Sequence, residues 1–87
     1  MALSSVIMQK IFDMDETDKS LELLGRKIRK LRQEQGLSQE AFAYVADIDR
    51  SYIGQIERGE RNIAFSNMLK IARALGVKVS DLAEGVD

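Results

Sequence analysis

The side chains with chemistry to offer are concentrated between Gln39 and Asn62. Ile53 and Ile56 lie three apart on one apolar edge, so Arg50, Ser51, Gly54, Gln55 and Arg58 fall on the opposite side and the N-terminal end of one short helix. Arginine and glutamine carry forked polar groups that match guanine or adenine edges, and a helix enters the major groove of B-DNA with its N-terminal residues nearest the bases. Catalysis has no comparable constellation. The chain has no cysteine and no histidine, which removes disulfides, thiolate metal sites and imidazole chemistry. It has no nucleophile–base pair and no phosphate loop, and the acidic run from Asp13 to Asp18 lacks the glycine and terminal glutamate of a calcium loop. The expectation is therefore a non-enzymatic recognition protein that uses no cofactor and no metal.

The elements that must position these groups are legible from caps and spacing. Ser38 can cap a first helix, Glu40 favours the positive end of its dipole, and Ala41, Phe42, Val45 and Ala46 give it an apolar face. Asp47 and Ile48 leave room for only a tight turn. Asp49 is a second capping side chain, opening a helix that runs through Ile53 and Ile56 to Gly59. The pair reads as a helix-turn-helix. Upstream, Leu21, Leu24, Ile28 and Leu31 mark a helix that Asp18 or Ser20 could cap and Gly36 stops, with basic residues on its other face. Gly25 within it should cost about 1 kcal/mol relative to alanine, so it is expected to permit a close approach to something the sequence does not identify. Downstream of a polar loop from Glu60 to Ile63, the residues Phe65, Met68, Leu69, Ala72 and Leu75 predict a fourth helix ending at Gly76, and Val79 to Ala83 a fifth.

Without proline, low-complexity sequence, repeats or a candidate strand, the chain is expected to be an all-α, compact five-helix domain over residues 21–87 with an N-terminal extension over 1–20. Ile28, Leu31, Phe42, Val45, Ile53, Ile56, Met68, Leu69 and Leu75 are the expected core. In the extension, Val6 or Ile7 with Ile11 and Met14 forms an apolar stripe that could pack on the domain or on a partner.

At 87 residues the core is small, and association with a second copy is a common remedy. No apolar run is long enough to span a membrane, and the N-terminus lacks a signal-peptide pattern, so a cytoplasmic protein is expected. The balance of 13 basic against 14 acidic residues is unusual for a nucleic-acid binder. Its distribution is uneven. Lys10 and Lys19 stand against Asp13, Asp15, Glu16 and Asp18 in the extension, whereas Arg26, Lys27, Arg29, Lys30 and Arg32 face only Glu22 and Glu34 in the next stretch. A basic surface can thus meet phosphate, with modest non-specific affinity overall.

The segment from Gly25 to Leu82 resembles the lambda-repressor-like helix-turn-helix regulators, the XRE family, through the words IRKLRQEQGLSQEAFA, RSYIGQIERGERN and LKIARALGV in order. Within that family RSYIGQIERGERNI is most similar to the controller proteins of restriction-modification systems. The resemblance implies base contacts from Arg50, Ser51 and Gln55. It also favours a phosphate contact at Gln39, where the side chain and free backbone N–H groups at a helix start can act together. Arg58, Arg61 and Asn62, in the loop leaving the recognition helix, are candidates for phosphate contacts, and Tyr52 could donate its hydroxyl to a phosphate or pack beside Ile56 or Phe42. Arg32 and Glu57 stand where the family has an internal ion pair, which gives them a structural role. Family members usually have a serine cap near Ile63 and Ala64 and often at Lys78, so the last two helices start here without their customary caps.

The function expected is a sequence-specific transcriptional regulator bound as a homodimer to a two-half-site DNA operator, with RNA polymerase a further candidate contact. Val77, Val79, Leu82 and Val86 are candidates for an apolar dimer surface, with the N-terminal stripe as a further candidate. The competing expectation is an antitoxin-like interaction module that binds a protein through the N-terminal stripe and DNA secondarily.

Overall fold

The structure is a computed structural model that describes residues 14–86, with side chains described from Asp18 onward. Five helices make up these residues: α1 Met14–Glu34, α2 Gln39–Ala46, α3 Arg50–Glu57, α4 Phe65–Leu75 and α5 Val79–Ala83. No strand occurs among the described residues. The helix expected to open near Leu21 begins at Met14, so Asp18 and Ser20 are interior residues of α1 and not its caps, and the division drawn after residue 20 falls inside a helix. The apolar stripe of Val6, Ile7, Ile11 and Met14 lies outside the residues whose side chains are described.

Both caps of the helix-turn-helix form as their side chains dictate. Ser38 Oγ accepts from Ala41 N–H at 3.0 Å, and Asp49 Oδ1 accepts from Ser51 N–H at 2.9 Å. Between them Asp47 takes a left-handed conformation at φ 56°, and Ile48 N–H donates back to Ala43 carbonyl oxygen at 3.0 Å, closing the end of α2. Ile48 packs against the core and fixes the turn. Ala64 starts α4 with no side-chain cap, as the sequence leads one to expect. At α5 the deficit is half met, because Asp81 Oδ2 accepts from Lys78 N–H at 2.9 Å.

α1 packs against α3 and α5, α2 against α3 and α4, and α4 against α5. The core joins Leu24, Ile28, Phe42, Ala43, Ile53, Ile56, Ile71, Ala72, Leu75 and Leu82, with Leu31 and Met68 partly buried against it. Two expected core residues stand outside it. Val45 is 55% exposed, because Phe42, Ala43 and Ala46 define the buried arc of α2 and Val45 lies roughly 100° away from that arc's centre. Leu69 is only half-buried on α4, whose inner edge is carried by Ile71, Ala72 and Leu75. Leu82 errs in the opposite sense. Assigned to a dimer surface from sequence, it is fully buried where α5 meets α1 and α4, so it is unavailable to a second chain.

Gly25 explains itself in the contact between α1 and α3. A Cβ there would stand 2.4 Å from the carbonyl oxygen of Ile56 and 2.6 Å from that of Glu57. Only glycine lets α1 lie directly on the last turn of α3, and that contact sets how α3 projects from the domain.

Candidate nucleic-acid interface

α3 buries Ile53, Gly54, Ile56 and Glu57 and leaves Arg50 and Ser51 exposed, with Gln55 half-buried. These three meet Gln39 from the start of α2, together with Gly54 and Arg58, around one open depression of about 340 Å³. Six of the residues singled out in the sequence therefore line a single concavity between the two helices of the motif. Gly54, read from sequence as part of the exposed face, is instead buried. Arg58 covers it, its Nη1 standing 3.1 Å from where a Cβ would be.

Beneath this surface lies the ion pair. Arg32 Nε donates to Glu57 Oε2 at 2.6 Å and Nη2 to Oε1 at 2.9 Å, and the side chains are 9% and 2% exposed. Arg32 Nη1 also donates to Leu37 carbonyl oxygen at 2.8 Å, tying the pair to the segment entering α2. The hydrogen bonds from Arg32 to Glu57, partly offset by burial, raise the arginine's already high pKa further. Gln39 Nε2 adds a third bond to the carboxylate, reaching Glu57 Oε1 at 3.1 Å. Sequence reasoning missed this link. It fixes the glutamine amide at the rim of the depression while leaving the second amide proton free to donate.

The remaining candidates form a second group where Tyr52 of α3 meets the loop that follows the helix. The Tyr52 hydroxyl donates to Asn62 carbonyl oxygen at 3.3 Å, its ring is partly buried against the core, and Arg61 stands over that ring at 5.7 Å from its centre. Tyr52 thus packs and hydrogen-bonds at once, and Asn62 engages it through backbone, leaving its own side chain exposed. Arg58 is not a free cation. Its Nε and Nη2 donate to the two carboxylate oxygens of Glu60 at 2.8 and 3.2 Å, both side chains remaining more than half exposed. That pairing holds the Glu60 carboxyl below its usual range, chiefly through the hydrogen bond. The opposite charges of Arg58 and Glu60, two residues apart, are the sequence signal that could have revealed it. Glu60 now stands among the groups that decide how much positive charge this loop presents.

At the front of α3, the Asp49 carboxylate takes both the backbone N–H and the hydroxyl proton of Ser51. The hydroxyl bond is the largest cause holding its pKa below the ordinary aspartate value, followed by the backbone bond from Ser51. Asp49 therefore remains an anion at neutral pH, exposed beside the equally exposed Arg50 and Ser51.

The sequence profile of the helix-turn-helix family matches residues 28–82. The control protein C.BamHI of Bacillus amyloliquefaciens is 44% identical over 63 residues, which cover 71% of this chain and 78% of that protein. The control protein C.MunI of a Mycoplasma species is 44% identical over 64 residues, covering 72% of this chain and 86% of that one. Among solved structures, the restriction-modification controller protein C.AhdI of Aeromonas hydrophila superposes with a TM-score of 0.70 at 45% identity, covering 71% of this chain and 94% of that chain. An exposed polar recognition helix, the turn that presents it and these relatives agree: the chain belongs to the XRE-type helix-turn-helix family of DNA-binding transcription regulators, the family of the restriction-modification control proteins.

Proposed function

We propose that this regulator acts as a homodimer on a two-half-site operator and controls the expression of a restriction-modification system. The observation that carries the DNA-reading part is the depression in which Arg50, Ser51 and Gln55 converge with Gln39 and Arg58. Arg50, Ser51 and Gln55 address base edges in the major groove, Arg50 being the residue suited to bidentate pairing with guanine. Gln39, Arg61 and Asn62 surround them and set the register on the backbone through phosphate oxygens, and Arg58 and Tyr52 join them where their bonds to Glu60 and to the Asn62 carbonyl open. Arg32 and Glu57 hold α1 to α3 and touch no DNA. The control-protein relatives support the restriction-modification assignment.

Dimerisation follows from scale. One eight-residue recognition helix spans too few base pairs for useful discrimination, and two copies address half-sites roughly 34 Å apart. With Leu82 committed to the core, the apolar surface offered by α4, α5 and their flanks includes Val77, Val79 and Val86, each half-buried, and Phe65 at 66% exposure. A regulator seated on a promoter in the cytoplasm would act by excluding RNA polymerase or by touching it. Binding-site selection from random duplexes, followed by sedimentation of the protein free and on the selected DNA, tests the reading. Selection of an inverted repeat bound by two chains is the expected result. A lone half-site bound by one chain would overturn the dimeric part, and no enrichment would overturn the whole.

A further inference from the structure

A serine hydroxyl is ordinarily indifferent toward bases, since it can donate one hydrogen bond and accept two, and the same side chain can serve either kind of base edge. Ser51 lacks that freedom. Its hydroxyl donates to Asp49 Oδ1, its backbone N–H donates to the same oxygen at 2.9 Å, and both residues are exposed at the front of α3. A hydrogen bond to an ionised carboxylate is stronger than one between neutral groups, so a base edge offering only a neutral acceptor does not recover the proton. No lysine or arginine among the described residues pairs with Asp49, which leaves the carboxylate available for this one task. What Ser51 turns outward is a lone pair.

We propose that Asp49 is a positioning residue for base recognition: by holding the Ser51 hydroxyl proton it makes Ser51 an acceptor only, so that α3 requires an amino group, adenine N6 or cytosine N4, on the strand Ser51 faces. The inference rests on the DNA-reading function proposed above and sharpens it to a pattern. Every base pair has one amino group in the major groove, carried by adenine or cytosine, so the requirement fixes which strand bears it and not which pair is present. Exchanging adenine for cytosine on the faced strand is tolerated. Inverting the pair, so that thymine or guanine faces Ser51, is penalised because two acceptors then meet. Arg50, all donor, has the opposite preference one residue away.

The test is competition titration of the full chain on duplexes in which each half-site position is taken through all four base pairs. For wild type, one position should favour adenine or cytosine over thymine or guanine by about three- to tenfold, the range of a single hydrogen bond. Ser51→Ala should flatten that position alone, and this variant keeps the N–H that Asp49 caps. Asp49→Ala should flatten the same position, since the freed hydroxyl can rotate to donate. Asp49→Asn should retain only part of the preference, because its amide oxygen accepts the same protons but, being neutral, holds the hydroxyl proton less firmly against a base acceptor. Thermal melts monitored by circular dichroism establish that each variant is folded. Retention of the full preference in Asp49→Ala, a preference in Asp49→Asn weaker than that in Asp49→Ala, or a thymine or guanine preference at the Ser51-dependent position would each overturn the proposal. Failure of the underlying function is distinguishable: wild type would then bind all duplexes alike, whereas a preference that responds to Arg50→Ala and not to Ser51→Ala sinks only the role of Asp49.

Discussion

Glu57 shows how much of this interface is decided by a residue that does not face it. Three hydrogen bonds, two from Arg32 and one from Gln39, converge on a carboxylate that is nearly fully buried. Such a pair need not be more stabilising than well-packed apolar groups, but removal of either partner strands a charge in the interior at a cost of about 3–5 kcal/mol. Arg32→Ala and Glu57→Ala are each expected to lower the thermal midpoint sharply in calorimetry while leaving the selected operator sequence unchanged. A changed operator in a fully stable variant would assign them to recognition instead. Asp49 makes a prediction of different form, because its carboxyl is held below its ordinary pKa by the bonds from Ser51. A depressed carboxylate contributes stability above its unfolded value, about 3.9, and loses it as pH falls through the lower folded value. The melting temperature of wild type should therefore decline on acidification below about pH 4 more steeply than that of Asp49→Asn, whose cap does not titrate. Parallel curves would show that the cap bond adds nothing.

At the scale of elements, the contact between α1 and α3 is the tightest constraint. Gly25→Ala gains about 1 kcal/mol in helix propensity, yet its Cβ meets the backbone carbonyls of Ile56 and Glu57, which cannot rotate away. Overpacking of that kind typically costs about 1–3 kcal/mol, so a net loss of stability is expected, with weakened operator binding as α3 is pushed from its seat. Denaturant titration would refute this if the variant proved more stable than wild type. The turn of the motif carries the converse case. Asp47 sits at φ 56° with a Cβ, and Asp47→Gly relieves a left-handed strain of order 1 kcal/mol while giving up a long ion pair to Lys70 at 3.9 Å between exposed groups. The variant should melt at or above the wild-type temperature. These elements also show what was legible in the sequence. Ser38 and Asp49 act locally, each capping a backbone group two or three residues on, so reading them required no tertiary knowledge. Gly25 was visible as an anomaly, but its partner is 31 positions away in Ile56 and could not be named. Val45 and Leu82 were misplaced for one physical reason: helical spacing fixes which residues share a face, whereas the neighbouring helices decide where on that face burial is centred.

The whole molecule carries almost no net charge, with 13 basic and 14 acidic side chains, so its affinity for phosphate depends on where cations are left unpaired. The loop after α3 contains the clearest contrast. Arg58 is already bonded through two nitrogens to Glu60, whereas Arg61 rests on the Tyr52 ring with no carboxylate bonded to it among the described residues. Each phosphate neutralised by a protein cation releases condensed counterions and contributes about 0.9 to the slope of log affinity against log salt. Arg61→Ala should therefore make that slope shallower by roughly one unit per subunit and weaken operator and scrambled DNA alike. Arg58→Ala removes a cation and leaves Glu60 unopposed, while Glu60→Ala leaves Arg58 free to meet phosphate and should steepen the slope and raise non-specific affinity. Arg50→Ala should leave the slope nearly unchanged and cost about 1–3 kcal/mol on operator but little on scrambled DNA, if it addresses a base as proposed. Titrations of these four variants on both duplexes at several salt concentrations separate the roles. An Arg50→Ala loss equal on the two duplexes would make it a backbone contact, and a Glu60→Ala slope no steeper than wild type would mean that the Arg58–Glu60 pair opens when DNA arrives, so that its charge is available after all.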